Sequence, residues 1–241
     1  MTALKDENRI IIYTDGACSG NPGIGGWAFV LFDGQKTIYE SASFDPQTTN
    51  NRMEMSGVVF AFHALQKLSA AGLSMSAIHV HSDSSYVIQG ITTWIFGWKK
   101  RGWKNLEGKD IANQSLWIKL DEAVAPFRKQ IQWIHVPGHA GIPGNERCDE
   151  LSVQAMREKI EIQTMSLKSE YKFDIFSPVE LTKFKKIDPY YLSLVNGALK
   201  KHATWSECEA TVKGRTGVKF KKIKSLNEEV QVLKDWGISS E

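Results

Sequence analysis

Residues 9–17 are apolar without alternation, through Ile10, Ile11, Ile12 and Tyr13, which predicts a strand covered on both faces. A second run from Gly23 to Phe32 is followed by Asp33-Gly34 and then Lys36 to Phe44, and Asp-Gly between two such runs predicts a hairpin. From Asn51 to about Ala70 the period changes. Met55, Val58, Val59, Phe62, Leu65 and Leu68 recur at steps of three and four, which predicts an amphipathic helix ending near Gly72. Ser76–Ser82 reads as a fourth strand, with short helices around residues 85–90 and 93–99. Leu116, Ile118, Leu120 and Val124 mark another helix, stopped near Pro126; Gln130–Val136 alternates as a strand, and Pro143–Glu158 reads as a helix.

This order predicts an α/β fold, a five-stranded mixed sheet flanked by helices, over residues 1–158. From 159 to 187 Lys and Glu alternate with isolated apolar residues and Pro178 interrupts any helix, so the stretch reads as a connector. A small α+β C-terminal domain follows over 188–241: a strand at Tyr190–Val195, a turn at Asn196-Gly197 and a returning strand at Lys201–Thr204. A helix at Trp205–Val212, a strand at Val218–Ile223 and a last helix at Leu226–Trp236 complete it. About 50 residues make a marginal core, so each aromatic there matters.

Composition changes this picture little. The 241 residues are 42% apolar and 24% charged, ordinary for a globular protein, and a net charge of +3 identifies no partner by itself. Cys18, Cys148 and Cys208 are scattered without metal-ligand spacing and read as free thiols in a reducing compartment. The first nine residues are polar, unlike a signal peptide, and no stretch approaches 18 uninterrupted apolar residues. The expectation is a cytoplasmic protein without a membrane partner, acting as a monomer.

The candidate chemistry lies in four acids at specialised junctions. Asp15 ends the first apolar run, ahead of Gly16-Ala17-Cys18-Ser19-Gly20-Asn21-Pro22-Gly23, and Glu54 follows Thr49-Asn50-Asn51-Arg52-Met53 in the first turns of a helix. Asp83 closes Ile78-His79-Val80-His81, and Asp149 follows Gly138-His139-Ala140-Gly141-Ile142-Pro143-Gly144-Asn145-Glu146-Arg147-Cys148. Two strand ends and two helix starts can meet at one end of a sheet, where four carboxylates make a hard-oxygen site for divalent metal. Carboxylates about 4 Å apart repel by roughly 4 kcal/mol per pair at an effective dielectric near 20. Four such groups do not all stay ionised without cations. Taken singly, Asp83 and Asp149 also read as helix caps.

Asp-Gly-x-Cys-x-Gly-Asn-Pro-Gly, Thr-Asn-Asn-Arg-Met-Glu, Ser-Asp-Ser-x-Tyr-Val and Pro-Gly-His-x-Gly-x-x-Gly-Asn-Glu-Arg-x-Asp occur here in this order. Together they resemble type I ribonuclease H over residues 8–158. The resemblance implies that Asp15, Glu54, Asp83 and Asp149 hold two Mg²⁺ ions, with Mn²⁺ as the alternative, and that His139 assists proton transfer or product release. The implied reaction hydrolyses the RNA strand of RNA–DNA hybrids, giving 5′-phosphate and 3′-hydroxyl ends. Against it stand a hybrid-binding protein that lost the reaction, and a transposase or integrase core on the same fold. His63, on the long helix, reads as surface or core filler.

Around residues 98–104 four basic residues and two tryptophans crowd together: Trp98, Lys99, Lys100, Arg101, Trp103 and Lys104. This stretch resembles the basic protrusion that holds the DNA strand in longer family members, although Trp94, Trp98 and Trp103 also suit packing between helices. Asn21, Thr49, Asn50, Asn51 and Asn113 match family positions on sugars and phosphates, where short amides and hydroxyls suit 2′-hydroxyls. Turn and cap chemistry explains Asn21 and Thr49 as well. Ser85 departs from the family, many members having a longer side chain there.

In the last 54 residues, Tyr191-Leu192-Ser193-Leu194-Val195-Asn196-Gly197, Thr204-Trp205-Ser206-Glu207-Cys208 and Gly217-Val218-Lys219-Phe220-Lys221-Lys222-Ile223 resemble the hybrid-binding (viroplasmin-type) domain. That domain usually precedes the nuclease; here it follows. The resemblance implies that Trp205 and Phe220 face deoxyriboses, that Lys221 and Lys222 grip DNA phosphates, and that Lys213–Gly217 offers amides to the RNA. Residues 188–241 hold nine Lys and Arg against seven Asp and Glu, so the module relies on local clustering.

Overall fold

The computed structural model describes residues 8–34, 36–170 and 189–223, with 229, 232, 233 and 235–238. Two compact units are present, one around a six-stranded sheet and one around a three-stranded sheet. In the first, β1 (Arg9–Gly20), β2 (Gly23–Phe32) and β3 (Thr37–Thr48) form an antiparallel meander, and β4 (Ala77–Ser82) and β5 (Ile131–His135) join β1 in parallel. The strand order is β5-β4-β1-β2-β3-β6. Five strands are those the sequence predicts.

The sixth, β6 (Ile162–Leu167), pairs antiparallel with β3 inside the stretch read as connector. It leaves no period-two signal because its apolar residues are split: Ile162 falls on one face, Met165 and Leu167 on the other, and Met165 stays exposed. The five-stranded sheet is thereby corrected to six. Residues 171–187 of that stretch lie outside the described residues.

Helices cover both sheet faces. α1 (Asn50–Ala70) and α4 (Gln114–Val124) pack on one, where Ile10, Ile12, Phe29, Leu31, Val58, Phe62, Leu65, Val80 and Trp117 build the main core. α5 (Pro143–Glu158) covers the other, burying Cys148, Leu151 and Ala155. Between β4 and α4 the sequence predicts two helices, and α2 (Ser85–Gln89) and α3 (Ile95–Lys100) are there. They are joined without a break by a π-helical turn at Gly90–Trp94. A β-carbon on Gly90 would overlap the Trp117 ring, so the chain stays helical here while pressing against that indole.

The second unit pairs β7 (Tyr190–Val195) with β8 (Ala198–His202) and β9 (Lys219–Ile223), with α6 (Trp205–Val212) between the last two in sequence. Asn196 and Gly197 both have positive φ, as a two-residue hairpin turn requires. The tight turn starts β8 at 198, earlier than the 201 predicted. Thr204 caps α6, its hydroxyl accepting from the Glu207 amide at 3.3 Å. Most of the helix expected at Leu226–Trp236 lies outside the described residues; Val232 packs with Tyr190, Leu192 and Ile223.

Candidate active site and nucleic-acid interface

The parallel pairing of β1 with β4 stops at Tyr13↔His81, and β4 and β5 end soon afterwards at Ser82 and His135. The crevice beyond the carboxyl ends of parallel strands is where open α/β sheets place ligands. Asp15 projects there from β1, only 8% exposed, and Asp83 follows β4 directly. Glu54 comes from the first turns of α1 and Asp149 from α5. What draws Glu54 in is Gly16. A β-carbon on Gly16 would overlap the backbone nitrogen of Glu54, so only glycine lets α1 approach β1 this closely. Gly144 plays the same part for α5, resting on the Tyr13 ring where a side chain would collide.

The electrostatics tie the four acids together. Burial raises the Asp15 pKa well above the ordinary carboxylate value, and the charges of Asp83, Asp149 and Glu54 raise it further against a lowering hydrogen bond from the Gly16 amide. Glu54 is raised by burial and by Asp83, opposed by Ser84. Each Glu54 oxygen has a donor: Asn50 Nδ2 reaches Oε1 at 2.9 Å and Ser84 Oγ reaches Oε2 at 2.5 Å. Ser84 also caps α2, accepting from the Val87 amide at 3.2 Å. Asn145, 2% exposed, lies 3.5 Å from Asp83 Oδ2 through its amide nitrogen. His135 Nε2 stands 3.1 Å from the Asp83 carbonyl, which makes that nitrogen the donor, and 3.1 Å from Ser85 Oγ. Ser84 and Asn145 sit inside the sequence motifs, but spacing alone gives them no role; their signal is a polar residue beside an acid. His135 carries no such signal.

Among the described residues, no three His, Cys, Asp or Glu side chains close around one point as a ready-made metal cage. The arrangement is an open set of hard oxygens whose mutual repulsion a cation would relieve. That suits Mg²⁺, which keeps waters and takes one or two carboxylates plus phosphate oxygens. The donor set therefore fits a divalent ion that a phosphate-bearing substrate helps to coordinate.

His139 is exposed on the loop between β5 and α5, with φ of 51°. Asn21 is exposed at the β1–β2 turn and its Oδ1 accepts from the Asn50 amide at 3.3 Å. Thr49 occupies the N-cap of α1 in extended conformation, but its side chain makes no cap bond, so that part of the cap explanation drops away. Asn51 is exposed beside it. Asn113 occupies the N-cap position of α4 with φ of 59° and no side-chain cap bond, and donates to the Tyr86 hydroxyl at 3.4 Å. His63 is exposed, edge-on to Phe60.

The basic stretch is built on an aromatic ladder. Trp94, Trp98 and Trp117 follow one another at ring separations of 5.8 and 5.3 Å, and Trp98 and Trp103, half-buried, pack against the main core. Its cations divide. Lys99 pairs with Asp121 at 2.6 Å and Lys104 with Asp110, Arg101 donates to the Lys104 carbonyl, and Lys100 is exposed. In the second unit Trp205 and Phe220 are 40% and 48% exposed with centroids 5.4 Å apart, and Tyr191 extends the row at 5.5 Å from Trp205. Lys222 lies over Tyr191, and Lys221 is exposed on β9.

A family model described as RNase H matches residues 7–157. The ribonuclease H of Thermosynechococcus vestitus is 44% identical over 155 residues, covering 64% of this chain and 93% of that protein. That of Hyphomonas neptunium is 47% identical over 151 residues, 62% of this chain and 93% of that one. Among solved structures, LC9-RNase H1, a type 1 RNase H with the type 2 active-site motif, aligns at a TM-score of 0.57. It is 30% identical, over 66% of this chain and 78% of that one.

Proposed function

The chain belongs to the ribonuclease H family, and from that membership we propose that it cuts the RNA strand of RNA–DNA hybrids by two-metal-ion catalysis, leaving 5′-phosphate and 3′-hydroxyl ends. The observation that carries this reading is the convergence of Glu54, Asp83 and Asp149 on the buried Asp15. These four acids are the residues that hold two Mg²⁺ ions, or Mn²⁺ in their place. Bound there, the cations supply the positive charge that activates a water and stabilises a departing 3′-oxygen.

The chain's own groups do the rest. Asn50 and Ser84 fix both oxygens of Glu54, and Asn145 restrains Asp83, so the acids meet the substrate already oriented. His139, exposed on its loop, takes or returns the proton at the departing oxygen and eases product release. Asn21, Thr49, Asn50, Asn51 and Asn113 lie along the RNA minor groove, where 2′-hydroxyls distinguish RNA from DNA. The protrusion from Trp98 to Lys104 holds the DNA backbone, with Lys100 and Arg101 as its outward cations. Lys99 is tied to Asp121 and contributes less.

The nuclease portion spans residues 1–158, and residues 188–241 act as a second hybrid-binding module. There Trp205 and Phe220 offer adjacent aromatic faces to sugars while Lys221 and Lys222 hold phosphates. Tethering this module raises the local concentration of hybrid at the nuclease. The test is cleavage of matched RNA–DNA, RNA–RNA and DNA–DNA duplexes by the purified chain, with and without EDTA. Cutting confined to the RNA of the hybrid and stopped by EDTA is the expected result. An intact hybrid, or cutting that survives chelation, overturns the reading.

A further inference from the structure

Glu40 is a carboxylate in an apolar place. On β3 it alternates with Ile38 and Ala42, which are buried on the face covered by α5, and Glu40 itself is only 6% exposed. A charge there is tolerated only when its oxygens are satisfied. Arg147 of α5 supplies a fork, Nε to Oε1 at 2.8 Å and Nη2 to Oε2 at 3.0 Å, while its Nη1 reaches Glu150 at 3.2 Å. A third donor comes from β6. The β3–β6 register sets Thr164 opposite Glu40, and the Thr164 hydroxyl donates to Oε2 at 3.1 Å.

We propose that Glu40, Arg147 and Thr164 form a positioning clamp through which β6, a strand beyond the family match, holds the helix that carries Asp149. The match ends at residue 157 and β6 begins at Ile162, so the third donor lies outside the residues that the family model covers. The clamp deepens the metal-site reading and rests on it.

Geometry gives the reason a clamp is needed. Apart from the Asn145 amide at the Asp83 carboxylate, the close seats of α5 are steric: Gly144 on the Tyr13 ring and Gly26 against the Ser152 carbonyl and Met156, with Cys148, Leu151 and Ala155 buried against the sheet. Close contacts of that kind set how near the helix lies but allow rolling and sliding. A planar guanidinium held at both nitrogens by a carboxylate fixes direction as well as distance. Arg147 and Asp149 are two residues apart on one helix, about 200° around its axis. Any roll that Arg147 permits swings Asp149 through the same angle, away from or towards Asp15.

The test uses the full chain with Thr164→Val, which deletes the third donor at nearly constant shape, and Arg147→Lys, which keeps the charge and loses the fork. Two readouts are taken: kcat and KM on hybrid, and the Mg²⁺-induced rise in melting temperature of the metal-free chain, which reports cation binding without turnover. Arg147→Lys is expected to lower kcat by about tenfold or more and Thr164→Val by about threefold, with KM changed by less than about twofold. Both should need more Mg²⁺ for the same thermal shift, Thr164→Ser should recover the wild-type values, and the double variant should be non-additive. Wild-type kcat and Mg²⁺ midpoint in both single variants overturn the clamp, even with a lowered melting temperature, because that is the signature of a mere brace. If Arg147→Lys does not fold, Thr164→Val and Thr164→Ser decide. Asp15→Asn separates the two ideas. Activity in that variant overturns the metal-site reading, whereas an inert Asp15→Asn beside an unaffected Thr164→Val overturns the clamp alone.

Discussion

Around the six-stranded sheet Ile10, Ile12, Phe62, Leu65 and Trp117 are wholly buried in one continuous core. Among the described residues around the three-stranded sheet, the interior breaks into two small clusters, Tyr190-Leu192-Ile223-Val232 and Val195-Cys208-Val212, and the large aromatics Trp205 and Phe220 are left in solvent. The contrast follows from what each must hold still. Like charges kept together lower the stability of whatever surrounds them, so the acids sit on elements locked by a dense core, by a main-chain contact at Gly16 and by Gly144 seated on the Tyr13 ring. A stacking surface for sugars asks only for a flat apolar face and nearby cations. A domain of that size can present one.

The comparison can be broken first at the acids. Asp15→Asn is expected to reduce cleavage by about 10³-fold or more, roughly 4 kcal/mol of transition-state stabilisation, while gel-shift binding of hybrid persists. Second, deleting residues 188–241 should leave kcat on short hybrids unchanged and raise KM on long ones by about tenfold or more. Equal KM for the shortened and full chains would deny the second unit its role.

Smaller effects sharpen the contrast in rigidity. Gly144→Ala drives a methyl into the Tyr13 ring, and overpacking of that kind should cost about 2 kcal/mol in urea unfolding with activity reduced alongside. Gly197→Ala meets nothing within 4 Å and suffers only from its φ of 79°, for about 1 kcal/mol, with cleavage of short hybrids intact. Least of all, Lys100→Ala should lower the salt dependence of hybrid binding by about one unit of slope without changing cleavage of bound hybrid.

Much of this was legible where a local rule and the global fold agree. The Ile10–Tyr13 run, the three-and-four period of α1 and the Asn196-Gly197 turn each name their element from a few residues, and each is present. Strand β6 was not, because an edge strand with one half-covered face shows no alternation, and its partner Glu40 looks like an ordinary surface acid in a hairpin. The sequence pattern parts the two short helices at residues 91–92, beside Gly90 and Thr93, yet packing against Trp117 keeps the chain helical through a π turn. At the site, the acids announce themselves by their junctions. Their hydrogen-bonding neighbours do not, because Ser84, Asn145 and His135 become neighbours only when β4, β5 and α5 are brought side by side.

Because no atom separates the Gly16 α-carbon from the polypeptide of α1, the span between Asp15 and Glu54 is dictated by main chain, which has nowhere to retreat. Exchanging either acid for its longer or shorter homologue preserves the charge and yet moves an oxygen by a full methylene, with no compensating shift open to the scaffold. The pocket behaves as a gauge of fixed bore, tolerant of what sits outside it and intolerant of a change in the length of its own jaws.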